Sequence, residues 1–314
     1  MRSTPGVDHA MQTGVFLGLS AALLWGVADF CARGASRAAG TFRTLLFVEI
    51  IAIPALLLLT GPFGLIVLRA EQWPMILAAA LVGLIILGGA GLLYRAFAIG
   101  KLALVSPIAS AFAVVTALLA IATGERLAGL TLLGVIVTIV GVTLASSGRE
   151  AAPAGEAKPL VASTHKRTFA PGLPEAIGAM LTFGVGYWLL DFIVPTLGGV
   201  TTAFIAKVGD LIALGAIALF VVWRAPRRPQ TVLRLGKPFW LWVIPTALLD
   251  TAANIAYNIG IATALTSVVV TLSSLFSAVT VLLAWVVLRE RLALWQWVGV
   301  LTILLGVLLV NLRA

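Results

Sequence analysis

Between Trp240 and Ile259 the chain carries a single charged residue, Asp250, followed by Asn254 at i+4, Tyr257 at i+7 and Asn258 at i+8. On a helix these four side chains share one face. Two roles suit them. They can hydrogen-bond neighbouring helices, at about 0.6 kcal/mol per bond in a membrane, or form the polar wall of a substrate cavity. An ionisable group inside an apolar helix is a functional site by default, so the cavity wall is the stronger reading. Lys207 and Asp210 stand i, i+3 in another apolar stretch, close enough to pair with each other. If Lys207 instead meets Asp250, Asp210 is left as a carboxylate able to take a proton in low-dielectric surroundings, which is what proton coupling requires. Asp210 and Asp250 are therefore the candidate coupling residues. Glu49, at about the level of Asp210 in the matched stretch of the first half, is a third candidate cavity carboxylate, with a hydrogen-bonded structural role as its alternative.

Other polar and aromatic residues carry weaker signals. Trp25, Tyr94, Tyr187 and Trp188 are large rings suited to line a cavity or to pack helices together. Ser273 and Ser274 belong to a hydroxyl-rich run that includes Thr266, Ser267, Thr271 and Ser277, able to form a cavity wall or to let helices approach. Asp29 and Arg33, i and i+4, read as an interfacial ion pair, and Asp191 as interfacial too.

These residues are exceptions in a chain that is 61% hydrophobic and 11% charged, with a mean hydropathy of +1.11. A soluble domain carries about 25% charged residues, so the chain is read as an integral membrane protein. His9 and His165 both lie outside the apolar segments, which leaves no His-based metal site at membrane depth; no metal or cofactor is expected. The lone Cys31 excludes a disulfide within one chain. The net charge of +9 sits in short loops. Anionic lipid and the insertion machinery explain that better than nucleic acid does. The first apolar stretch, Gly14 to Cys31, has no convincing cleavage site and reads as a retained helix.

Ten apolar stretches can be bounded, at 14–32, 43–61, 74–97, 102–123, 128–147, 173–195, 200–222, 239–259, 264–288 and 293–312. Their lengths suit spanning helices. Trp73, Trp223, Trp240, Trp242, Trp295 and Trp297 fall at their ends, where an aromatic belt sits. The chain also repeats itself. Gly124-Glu125-Arg126-Leu127 returns as Arg289-Glu290-Arg291-Leu292, offset by 165 positions, and Gly134 and Gly141 return in step as Gly299 and Gly306. Trp25-Gly26 matches Phe183-Gly184 with an offset of 158. The expected fold is all-α, with a tail at 1–13, a first repeat at 14–147, a linker at 148–172 and a second repeat at 173–312. Five spans per copy is an odd number, so the second copy enters the membrane inverted, the architecture that supports alternating access. The paired glycines, seven apart, line one helical ridge and predict that spans five and ten pack together. Glu125 and Glu290, just before those helices, read as dipole-favoured caps. Sixteen of the 21 basic residues fall on the side opposite the termini, four on the termini's side, and Lys207 lies within a span. The positive-inside rule then places both termini outside the cytoplasm.

The run Ala103-Leu104-Val105-Ser106-Pro107, a long apolar helix, Gly124-Glu125-Arg126-Leu127 and a glycine-containing helix resembles the EamA domain of the drug/metabolite transporter superfamily. The second copy, from Thr263 through Glu290 to Gly306, matches it somewhat better, and Trp25-Gly26 fits its start. The resemblance covers 14–147 and 173–312. It implies a secondary transporter of small metabolites with a central cavity between its halves. It also implies termini in the cytoplasm and basic residues between spans two and three. That loop holds Arg69 and Glu71, whereas five basic residues lie between spans seven and eight, so loop charge and family habit disagree on orientation.

Transport is the leading expectation: a gradient-driven exporter of amino acids or related zwitterionic or cationic metabolites, in the inner or plasma membrane, with protons as the candidate coupling ion. No Walker-type loop is visible to drive an ATP pump. The alternatives are a membrane scaffold or sensor, for which a buried Asp-Asn series has no use, and a membrane-embedded enzyme. The enzyme would need a nucleophile with a base, or a metal site, at depth, and neither His-Glu-x-x-His nor Gly-x-Ser-x-Gly is present.

Overall fold

Lipid offers no hydrogen bonds, so a chain this apolar must pair its backbone groups internally, in helices or a closed barrel. The computed structural model describes residues 5–124, 129–147, 170–224, 235–263, 269 and 272–311; among them only helices and turns occur. The expected cap at Glu125 and most of the linker lie outside the described residues. In chain order the helices are α1 (Pro5–Ala39), α2 (Thr41–Thr60), α3 (Trp73–Ile99), α4 (Leu102–Ser110), α5 (Phe112–Ala122), α6 (Gly129–Ser147), α7 (Leu173–Leu190), α8 (Val194–Leu197), α9 (Gly199–Arg224), α10 (Lys237–Thr263), α11 (Phe276–Val286) and α12 (Leu294–Asn311).

Among the described residues seven helical spans are long and apolar enough to cross a membrane, the first running Gln12–Ala39 and the last Lys237–Gly260. Three shorter apolar helices, Gly129–Ala145, Phe276–Val286 and Leu294–Val310, add to them. α1 reaches back to Pro5, through most of the segment read as a tail. The fourth stretch is two helices, broken at Ala111 beyond Pro107, and every residue of α4 is buried. Pro107 lacks a donor, and its own carbonyl is taken by the Ser110 hydroxyl at 2.8 Å.

The two halves of the chain pack as exchanged equivalents. α1 lies along α10 and α11, while α7 lies along α3 and α5. A Cβ on Gly26 of α1 would sit 2.8 Å from Phe276 O, and one on Gly184 of α7 would sit 3.0 Å from Phe112 O. At both crossings a threonine hydroxyl lies against the glycine carbonyl: Thr280 Oγ1 3.3 Å from Gly26 O and Thr116 Oγ1 3.0 Å from Gly184 O. Among the described residues α6 and α12 form the most extensive helix pair. They run antiparallel, since a Cβ on Gly134 would meet Gly306 O at 2.8 Å and one on Gly141 would meet Gly299 O at 3.0 Å. Small side chains let these backbones approach, which in lipid replaces the hydrophobic drive between helices.

The aromatic belt is only partly as expected. Trp73, Trp223 and Trp295 are exposed at helix ends. Trp242 instead sits inside the bundle, against Gly34 and edge-on to Phe30 at 5.9 Å. Trp240 packs on Phe47 and Phe239 at 5.1 and 5.5 Å. Helix contact claimed these two rings before the interface could.

Candidate ion-pair site between the halves

The register of α2 against α9 is set by two glycines. Gly40 (φ 86°) precedes α2 and Gly198 (φ 80°) precedes α9, conformations that disfavour any side chain. Thr44 and Thr202, four residues on, donate back to those carbonyls at 3.0 and 2.8 Å. Counting nine residues from each glycine reaches Glu49 and Lys207. The counterpart of Glu49 is therefore Lys207, and Asp210 sits almost a turn further along. That corrects the level assigned from sequence: the offset here is still the 158 of Trp25-Gly26, and residues are gained between the halves only after this point.

Equivalent positions of the two halves thus carry opposite charges, and they meet. Lys207 Nζ donates to Glu49 Oε2 at 3.4 Å and to Asp250 Oδ2 at 3.3 Å. The Lys207, Glu49 and Asp250 side chains are 12%, 8% and 27% exposed, so Asp250 is the member open to a ligand. Of the two pairings open to Lys207, the structure contains the one with Asp250. Asp210 is left aside: it is buried, and its Oδ1 has no hydrogen-bond partner among the described residues.

Around this trio the other candidates divide. Tyr94 of α3 lies within electrostatic reach of Asp250, Glu49 and Asp29. Tyr187 of α7 lies within reach of Asp250, Lys207 and Tyr257 and stacks on Phe112 at 4.8 Å. Trp25 packs against Tyr257 at 5.5 Å and Phe276 at 6.2 Å. Trp188 turns to Phe192 at 5.3 Å. Ser273 is buried and Ser274 half-buried just before α11. The two asparagines bond back along α10. Asn254 donates one N–H to Asp250 O and Asn258 one to Asn254 O, each at 2.8 Å, which ties both amides to their own helix. Asn258 Oδ1 also occupies the space over Gly199, at the start of α9. Asn258 is a packing residue here, and Asn254 keeps its oxygen and one N–H for a ligand.

Two local readings are overturned. Arg33 does not pair with Asp29; its Nη2 lies 2.8 Å from Glu290 Oε1. Glu290 does not cap the helix that follows it either. Its Oε2 accepts the backbone N–H of Ala103 at 3.0 Å, capping the buried α4 of the other half, while Gln296 accepts the N–H of Ala293 at 3.0 Å just ahead of α12. A fully buried helix start needs an acceptor more than an exposed turn does. Asp29, freed of Arg33, is enclosed by α1, α4 and α11, with Ser106 Oγ and Thr280 Oγ1 at 3.4 and 3.5 Å from its Oδ2. Local spacing favoured the i, i+4 pair; the competing partner lies 257 residues away in sequence.

Comparison with known proteins agrees with this architecture. The model of the EamA-like transporter family matches residues 12–147 and 170–312. A solved structure described only as "Crystal structure of protein" is 17% identical, with a TM-score of 0.61, covering 95% of this chain and 96% of its own. That likeness concerns the fold alone. No curated protein matches the chain.

Proposed function

Because the chain belongs to the EamA-like transporter family, in the drug/metabolite transporter superfamily, and is thus a multi-pass membrane transporter, we propose that it is a gradient-driven carrier of zwitterionic or cationic small metabolites, amino acids foremost, in the inner or plasma membrane. Export by alternating access is the working mode. The bundle comprises ten spans in two inverted five-helix repeats joined by the linker at 148–172. Seven long and three shorter apolar helices, with corresponding helices α6 and α12 antiparallel, support that count and that inversion.

The observation that carries the substrate class is the charge balance around Lys207. One ammonium faces Glu49 and Asp250, and Asp210 adds a buried carboxylate almost a turn away. With all three carboxylates ionised the site holds two uncompensated negative charges, each costing about 2.5–3.5 kcal/mol at membrane depth. A substrate ammonium at Asp250 and a proton on Asp210 or Asp250 remove that excess. A multiply charged anion would add to it. Alternation between substrate and proton on shared carboxylates then couples the two fluxes, with Tyr94, Tyr187, Trp25 and Tyr257 as the surrounding wall. Purified protein in lipid vesicles, screened against amino acids and organic cations with and without a pH gradient, tests this reading. It predicts gradient-dependent movement of an ammonium-bearing solute. Movement of multiply charged anions alone would refute it.

A further inference from the structure

Asp29 is not used by the site above, and its surroundings are unusual for a carboxylate. It lies on α1 ten residues before Ala39, about 15 Å inside the helix end at 1.5 Å per residue. No Lys or Arg pairs with it among the described residues, since Arg33 has turned to Glu290. Its neighbours are oxygens. Ser106 Oγ lies 3.4 Å and Thr280 Oγ1 3.5 Å from Asp29 Oδ2, and Gly26 O lies 3.3 Å from Thr280 Oγ1.

The hydrogen bonds around this group are long. Hydroxyl bonds settle at about 2.7–2.8 Å, so contacts of 3.3–3.5 Å are poor ones. Thr280 has one hydroxyl proton, and its nearest acceptor is Phe276 O at 3.1 Å, on its own helix. With that proton engaged, the Thr280 lone pairs face Gly26 O and the carboxylate, an arrangement in which oxygens repel unless a proton or a cation lies between them. The spacing fits a cation. Oxygens at right angles around an ion with metal–oxygen bonds of about 2.3–2.6 Å, the calcium range, lie about 3.3–3.7 Å apart. Sodium has nearly the radius of calcium and half its charge, which matches a group holding a single carboxylate. Backbone carbonyl oxygens are also among the donors that transporters use for sodium at membrane depth.

We propose that Asp29 Oδ2, Ser106 Oγ, Thr280 Oγ1 and Gly26 O form a monovalent-cation site that takes sodium. Among the described residues the other half has no equivalent. Its crossing keeps the Thr116–Gly184 bond, but Tyr187 stands at the position of Asp29. One ion is therefore held per chain, where α1 of the first half crosses α11 of the second. Asp250 is within electrostatic reach of Asp29, as is Tyr94, so the bound ion and the substrate charge sense each other. On the transporter reading this makes sodium a coupling ion; binding itself does not depend on that reading.

The test is thermal unfolding of the full-length protein in nanodiscs, in sodium, potassium or choline chloride at equal ionic strength, beside binding of radioactive sodium. Sodium should raise the melting temperature by a few degrees over choline, with about one ion bound per chain. The sodium-dependent shift should vanish in Asp29→Asn and in the near-isosteric Thr280→Val. It should persist in Thr302→Val, which removes an exposed hydroxyl bonded only within α12. A shift that persists in Asp29→Asn, or no sodium effect in the native protein, overturns the proposal. So does a response to pH alone that Asp29→Asn removes, since it would place a proton there instead.

Discussion

Lys207 holds one positive charge against two carboxylates from two other helices, and its removal exposes what it compensates. Lys207→Met should destabilise the protein by about 3–5 kcal/mol, the cost of leaving a buried partner unpaired. The double variant Lys207→Met, Glu49→Gln should lose clearly less than the sum of the single changes. Denaturation of the four proteins in mixed micelles measures that coupling; additive losses would mean the charges do not interact. From sequence, Lys207, Asp210, Asp250 and Glu49 were recognisable as the charges that lipid cannot tolerate unexplained. Which carboxylate Lys207 would take was not, because an i, i+3 partner and a partner on another helix are indistinguishable until the helices pack. The same ambiguity hid Asp29: its spacing to Arg33 pointed to a local pair, and nothing nearby in the chain announced Glu290 as the stronger competitor.

At the scale of elements, the buried start of α4 depends on a residue from the opposite half. Glu290→Gln keeps an acceptor for the Ala103 N–H but loses the charge facing Arg33, whereas Glu290→Ala loses both. The alanine variant should be the less stable by about 0.5–2 kcal/mol, the worth of a helix cap, and chemical denaturation of the two variants decides it. Glycines separate by what they touch. Gly141→Leu should cost about 1–3 kcal/mol or more by overpacking α6 against α12, because even a Cβ there would lie 2.6 Å from Ile303 N. Gly88→Ala in α3, where nothing lies within 4 Å, should be neutral or stabilising by up to about 1 kcal/mol. Equal losses from both would contradict the packing described. The pairing of these two helices was legible because glycines spaced by seven recur in both copies. The break of span four into α4 and α5 was not, since Pro107 sits inside α4 and the turn comes four residues later.

For the whole molecule, duplication set the architecture and divergence made the site. The halves keep their glycine–threonine crossings in equivalent places, yet Glu49 faces Lys207 and Asp29 stands where the second half has Tyr187. Repetition was readable in the Glu-Arg-Leu segments, whereas the match of Glu49 to Lys207 lay in the 158 offset of Trp25-Gly26 and Gly40, which the 165 offset of the later segments obscures. The loop charges make a separate forecast: with Cys31 replaced by serine, a cysteine placed at Ala157 in the linker should react with a permeant maleimide and resist an impermeant one added outside intact cells. Labelling by the impermeant reagent would reverse the orientation.

The central claim, that carboxylates around Lys207 exchange substrate for protons, meets its most direct test in vesicles carrying the native protein, Asp250→Asn or Asp210→Asn, with an amino acid inside and a pH gradient imposed. The account predicts rapid gradient-driven flux for the native protein and loss of that flux in at least one variant, with downhill exchange surviving where only coupling is removed. Undiminished proton-driven flux in both variants would contradict it.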